Sequence, residues 1–261
     1  MSTLPPHELD RLKAAATLEE PLETLIERRL SGEPLQYIEG VAAFCTLKLK
    51  VDSRVFIPRP ETEGIVTIAR EVATSPNAII DLCTGSGALG LALKGEFPKA
   101  PVFTADISQD AADVALANRW ATDLHIYVAI GDLWDPLPAY LYRDTDLIVA
   151  NPPYIAESEY DDLPEDVKRE PREALVAGPT GLEVIQRIGA TVAGWLNPGG
   201  AVICEIGETQ GDAARNAFLD LPAEVRQDHT GRDRYVVAVK PSDEDDLSRG
   251  RRGRRRRRKA R

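Results

Sequence analysis

The residues with the clearest chemical reach are Asn151-Pro152-Pro153-Tyr154, directly after the apolar run Leu147-Ile148-Val149-Ala150. Such a run reads as a strand buried on both faces of a parallel sheet, and two prolines, which lack a backbone N–H and fix φ, must end it. The result is a stiff corner at a strand's carboxyl end, the edge where open α/β sheets bind ligands. Asn151 Oδ1 and the Pro152 carbonyl can each accept one N–H of a planar –NH2 group, while Tyr154 covers a face of it and Pro153 stiffens the turn. These four are the candidate substrate-binding residues, with Asn151, Pro152 and Tyr154 as the catalytic ones. An ordinary Asn-Pro turn is the plainer explanation, and a second motif upstream argues against it.

That motif is Asp81-Leu82-Cys83-Thr84-Gly85-Ser86-Gly87, which joins the apolar run at Ile79 to a helical pattern. Gly85 and Gly87 let the backbone approach a ligand, and Gly90 allows close packing of helix on sheet. Gly90 also fits the third glycine of a dinucleotide fingerprint, so NAD must be weighed. Three features favour S-adenosyl-L-methionine. Asp81 at the strand end can meet a cationic amino-acid moiety, directly or through water, and suits a pyrophosphate poorly. Asp106 ends the next strand, where it can grip ribose hydroxyls. Asp132 and Leu133 follow the third strand, as an acceptor for an adenine amino group and an apolar cover for its ring. Singly, Asp106 and Asp132 are ordinary turn or helix-cap acids; three acids after three successive strands make a set. The candidate cofactor residues are therefore Asp81, Cys83, Thr84, Gly85, Ser86, Gly87, Asp106, Asp132, Leu133 and Asn151.

The elements that must hold these residues follow from periodicity. Strands are predicted near 79–82, 102–106, 125–130, 147–150, 201–206, 224–229 and 234–239, with helices near 61–74, 87–95, 108–122, 180–196 and 208–219. This alternation predicts an α/β fold, a seven-stranded doubly wound Rossmann-like sheet whose last two strands, joined only by Thr230-Gly231-Arg232-Asp233, form an antiparallel hairpin. Residues 1–32 read as a short helical cap. Residues 33–60 read as a β-hairpin linker, from alternation over Phe44–Val51 and the extended Arg54–Ile57. Residues 61–240 form the catalytic domain and 241–261 a disordered acidic-then-basic tail. Pro58-Arg59-Pro60-Glu61-Thr62-Glu63 is a proline-stiffened helix entry whose Arg59 and Glu61 are assigned to the substrate side.

The 261 residues, 43% hydrophobic and 28% charged, suit a soluble globular protein. No run approaches the roughly eighteen apolar residues of a membrane span. Cys45, Cys83 and Cys204 are far apart, without a CxxC pair, and the histidines are scattered, so reduced thiols in a cytoplasmic protein without a metal site are expected. The net charge of −10 conceals an asymmetry: ten of the 32 Lys and Arg lie in 249–261 without an acid, leaving 22 against 42 acids in the body, or −20. Such a body repels phosphate backbones over a Debye length of about 8–10 Å. It speaks against the alternative of an adenine or guanine amino methyltransferase using the same corner, while the tail is a candidate contact for RNA or the ribosome. A non-catalytic cofactor sensor, the other alternative, has no need of a fixed acceptor amide.

With the loop, the three acids, the Asn-Pro-Pro-Tyr corner and above all Pro58–Glu63, the chain resembles the HemK/PrmC family of protein-(glutamine-N5) methyltransferases from about Glu33 to Val239. The likeness includes Glu170–Leu175, Trp195–Gly200, Glu205-Ile206-Gly207 and Gly231–Arg234. The resemblance implies methyl transfer from S-adenosyl-L-methionine to the side-chain amide of a glutamine in the Gly-Gly-Gln loop of a peptide chain release factor; a monomer without a membrane partner is expected. Three features depart from the family pattern. Cys83 stands where many relatives have glycine, the N-terminal helical part is short, and the arginine tail is extra. Nothing in the sequence supplies a base strong enough to deprotonate an amide, so direct in-line displacement is expected, with the amide held at roughly 3–3.5 Å.

Overall fold

The computed structural model describes residues 4–242. The basic stretch 249–261, with its expected RNA contact, and all but the first two residues of the expected disordered tail lie outside them. The chain begins with helices α1 (Pro6–Ala15), α2 (Leu22–Leu30) and α3 (Leu35–Glu39). Leu12, Leu25, Leu35 and Ile38, one apolar stripe from each helix, make a small core of their own. The helical part thus runs beyond residue 32 into the stretch expected to be linker, and ends at Gly40 in a left-handed conformation, φ 68°. The hairpin differs from expectation too. It is β1 (Val41–Phe44) with β2 (Leu47–Lys50), turning at Cys45-Thr46, and Arg54–Ile57 is irregular. Alternation alone cannot place a turn between two strands that share it.

Next come α4 (Glu63–Val72), β3 (Ile79–Leu82), α5 (Ala88–Glu96), β4 (Val102–Asp106), α6 (Gln109–Thr122), β5 (Tyr127–Ile130) and β6 (Thr145–Ala150). An excursion then carries β7 (Ile155–Ala156), α7 (Arg172–Leu175) and β8 (Val176–Gly178). The chain closes with α8 (Glu183–Val192), β9 (Leu196–Glu205), α9 (Gly211–Arg215), β10 (Ala223–Gln227) and β11 (Asp233–Val239). Seven strands form one sheet in the order β10-β11-β9-β6-β3-β4-β5. Its pairings are parallel from β5 to β9, while β11 runs antiparallel to both β9 and β10.

The central strands β3, β4, β6 and β9 are mostly apolar and buried because helices cover both faces. Strand alternation sorts their side chains: Ile79, Val102, Leu147, Val149 and Ile203 face α4 and α5, while Ile80, Leu82, Ala105, Ile148 and Cys204 face the α8 side. Helix α4 buries Ile65, Val66, Ile68 and Ala69, a 3.6-residue stripe. Gly90 lets α5 lie on the sheet, since a Cβ there would sit 2.7 Å from Thr104 Cγ2. From β3 the chain winds outward to β4 and β5, then returns to β6 on the other flank. The carboxyl ends of β3 and β6 therefore bound the topological switch point, where such sheets bind ligands. Among the described residues no helix is long and apolar enough to cross a membrane.

Candidate active site

Register fixes what meets at that edge. Leu82 pairs with Ala150 on β6 and with Ala105 on β4, so residues 83, 106 and 151 emerge side by side. Between them opens a cavity of about 450 Å³, within the size range of small-molecule sites. Cys83 through Ser86, Asp106, Asp132, Leu133 and Asn151 through Tyr154 line one part of it. Arg54 through Phe56, Arg59 and Thr62 line another, and the excursion after β6 closes it with Val167, Pro171 and Glu173 through Val176.

The glycine loop makes its turn with left-handed residues: Cys83 at φ 57°, Gly85 at 53° and Gly87 at 82°. Gly87 is the N-cap of α5; it shapes the loop without lining the cavity. Asp106 secures the loop from the next strand. Its Oδ2 accepts the Gly85 N–H at 2.8 Å and its Oδ1 the Ser108 N–H at 3.0 Å. A carboxylate has about four lone-pair directions, so both oxygens keep capacity for ribose hydroxyls. Burial pushes the Asp106 carboxyl above its ordinary range, against those backbone donors.

Asp81 sits differently from its expected place. It is fully buried and not part of the cavity wall. Its Oδ2 accepts the Thr84 hydroxyl at 2.5 Å and the Gly90 N–H at 2.9 Å, and burial drives its carboxyl up to about 7. The reason is strand alternation: like Ile79, Asp81 points to the α5 face. It braces the loop from behind instead of meeting a ligand's amine. Asp132 does line the cavity, but its Oδ2 is paired with Arg187 at 2.5 Å. Leu133, at φ 49°, is buried in the wall beside it.

At the corner, Asn151 Nδ2 donates to Thr62 Oγ1 at 3.2 Å. This orients the carboxamide, and among the described residues no donor engages Asn151 Oδ1 or the Pro152 carbonyl. Tyr154 is held twice. Its hydroxyl donates to Glu205 Oε1 at 3.4 Å, and its carbonyl accepts Gln210 Nε2 at 2.8 Å. Gln210 Oε1 in turn accepts the Gly207 N–H at 2.9 Å. Burial raises the Tyr154 phenol well beyond its ordinary value, so it stays protonated.

Arg59 lines the cavity with its guanidinium already engaged. It forms an ion pair with the buried Glu170 and lies over the Phe56 ring at 4.7 Å. Glu170 Oε2 also accepts the Ile57 N–H at 2.9 Å, tying the proline-rich entry to the excursion. Glu61 lies outside the cavity on a separate groove, its carbonyl accepting the Tyr235 hydroxyl at 2.5 Å. Sequence reasoning missed Thr62, Glu205 and Gln210 as supports of the corner, Glu170 as the anchor of Arg59, and Glu173 as a cavity acid. One signal was present for Glu205: a lone acid at the end of the apolar run Ala201-Val202-Ile203-Cys204 is a charge where a strand is buried.

The arrangement can seat an adenosyl group over the loop and present two carbonyl-type acceptors to an –NH2 group beside it. The comparisons with known proteins bear on which chemistry this serves. Residues 43–202 match the family model of the methyltransferase small domain. The chain is 38% identical over 248 residues to the release factor glutamine methyltransferase of Moorella thermoacetica, covering 89% of this chain and 87% of that one. It is 39% identical to that of Mycolicibacterium smegmatis (84% and 79% covered) and 40% to that of Vibrio cholerae (83% and 77%). Among solved structures, a methyltransferase from Pyrococcus furiosus aligns with a TM-score of 0.58 at 14% identity over 83% of this chain and 98% of that one. The hMettl16 catalytic domain, solved with the MAT2A 3'UTR hairpin 6, aligns with the same TM-score at 16% identity over 89% of each. These two share the fold.

Proposed function

The chain belongs to the release factor glutamine methyltransferases, and on that premise we propose how its cavity does the work: it moves a methyl group from S-adenosyl-L-methionine to the side-chain amide nitrogen of a glutamine in the Gly-Gly-Gln loop of a peptide chain release factor. One observation carries the site assignment. The glycine loop and the corner open into one cavity from adjacent parallel strands, and the two acceptors at the corner, Asn151 Oδ1 and the Pro152 carbonyl, are unengaged.

The residues fit the cofactor. Gly85 brings the backbone close, Asp106 keeps lone pairs for a ribose, and Leu133 offers an apolar face beside Asp132 for an adenine ring. When bound, S-adenosyl-L-methionine supplies an electrophilic methyl on a sulfonium. A carboxamide nitrogen is a weak nucleophile because its lone pair is delocalised, so the protein's contribution is position. Asn151 Oδ1 and the Pro152 carbonyl take the two N–H groups of the glutamine and fix the plane of its amide, with Tyr154 beside them. As positive charge develops on that nitrogen its N–H groups become stronger donors, and the two acceptors hold them more tightly than in the ground state. The surplus proton then leaves to water.

Incubating the protein with labelled S-adenosyl-L-methionine and a release factor, then mapping the labelled peptide by mass spectrometry, tests this. Label on the glutamine of the Gly-Gly-Gln loop is the expected result. Label on another residue, or on nucleic acid alone, ends the proposal.

A further inference from the structure

Behind the corner lies a chain of polar groups that the reaction as described leaves unused. A threonine hydroxyl has a single proton to give. Where Thr62 Oγ1 accepts from Asn151 Nδ2, at 3.2 Å, that proton must go elsewhere. Glu205, 1% exposed as Thr62 itself is nearly fully buried, holds a carboxyl within reach of the Thr62 hydroxyl's influence. The Thr62 hydroxyl is the group that most favours the charged form of this carboxyl. Tyr154 donates to its Oε1 at 3.4 Å, and Oε2 is buried without a hydrogen-bond partner, so the carboxyl has accepting capacity to spare.

We propose that Glu205 is a positioning residue that sets which way the Asn151 carboxamide faces: as an acceptor it takes the Thr62 proton, which leaves the Thr62 oxygen to receive Asn151 Nδ2 and turns Asn151 Oδ1 toward the substrate amide. The polarity of the chain depends on one proton. An ionised Glu205 only accepts. A protonated Glu205 has an O–H of its own, and once it gives that to Thr62 the threonine proton turns to Asn151. The carboxamide must then present Oδ1 to Thr62 and its –NH2 to the cavity, where it opposes the –NH2 of the substrate, donor against donor. The inference rests on the acceptor role given to Asn151 above.

The surroundings place this switch near neutrality. Burial raises the Glu205 carboxyl to about 7. The Thr62 and Tyr154 hydroxyls and the Arg234 guanidinium from β11 oppose the rise, and Glu61, at the entry to α4, adds to it. The other titratable neighbours are Cys204 on its own strand and Tyr235 on β11, both pushed up by burial and by this carboxyl, and so neutral at such pH.

The test compares wild type with Glu205→Gln, Thr62→Val, Thr62→Ser and Asn151→Ala on a release factor across pH 6–9, with S-adenosyl-L-methionine binding followed by calorimetry. Wild-type kcat should fall as pH drops through about 7, with KM changing less. In Glu205→Gln, which keeps one neutral acceptor oxygen where the carboxylate has two charged ones and puts an –NH2 donor in place of the other, kcat should drop at least about tenfold, short of the roughly hundredfold loss for Asn151→Ala, and the pH limb should vanish. Thr62→Val should behave alike, and Thr62→Ser should recover what Val loses. A wild-type kcat and pH limb in Glu205→Gln overturn the inference. If Glu205→Gln also fails to bind S-adenosyl-L-methionine, Thr62→Val decides: loss of kcat and of the limb supports the relay, and an unchanged profile overturns it. Full turnover in Asn151→Ala would instead fault the acceptor role itself.

Discussion

Single atoms carry most of the chemistry proposed here. Asn151→Ala removes one preorganised acceptor and should lower kcat about a hundredfold, while calorimetry finds the affinity for S-adenosyl-L-methionine changed far less. Asp106→Ala reverses the emphasis. It frees the Gly85 N–H and removes the carboxylate proposed for the ribose, so cofactor affinity should collapse before turnover of the remaining complex does. Cys83 holds φ 57° with a Cβ, a conformation that costs an L-residue about 1–2 kcal/mol. Glycine there relieves the strain and gives back part of it as chain entropy. Cys83→Gly should therefore stabilise the protein by about 0.5–1 kcal/mol in urea denaturation. The sequence made the strand-end residues legible because a polar residue directly after a buried run has one place to go. It did not reveal their supports. Thr62 meets Asn151 across 89 positions, and Glu205 touches Tyr154 across 51; such pairings belong to the folded chain alone.

Among the elements, the strands of the central sheet were the legible part. Leu147–Ala150 is an unbroken apolar run between Asp146 and Asn151, Val102–Asp106 follows Pro101 and ends on its own acid, and Ile79–Leu82 is apolar but for Asp81. The excursion between β6 and α8 left no such trace. Its strands have two and three residues and its helical pieces at most six, so no period can build up over them. Yet this segment closes the cavity, and what holds it is the ion pair of Arg59 with the buried Glu170, 111 positions apart in the chain. Removing one member of a buried pair leaves the other charge uncompensated. Glu170→Ala should cost about 3 kcal/mol, seen as a lower Tm, and should raise KM for the release factor because Arg59 and the Ile57 backbone lose their anchor.

At the scale of the whole molecule, burial of carboxyls ties stability to pH. Asp81 and Glu205 both titrate near 7 in the folded chain, well above unfolded values of about 4. The folded state thus binds these protons more tightly than the unfolded one. Their contribution is complete below about pH 4 and is lost as pH rises through 7. Stability should decline between pH 5 and 8 in urea titrations, and Asp81→Asn, which no longer titrates, should flatten that decline. Glu205→Gln should do the same, making a less active enzyme that is the more stable one at pH 8. A last consequence follows from β3 and β6 being hydrogen-bonded neighbours. On the proposed assignment, the perch for the donor and the perch for the acceptor stand one rung apart, roughly 5 Å, on a ruler made of main chain. Substitutions can redecorate either perch and change which molecule alights, yet none can stretch the gap a methyl has to cross, so new acceptors engineered here must come to that fixed reach.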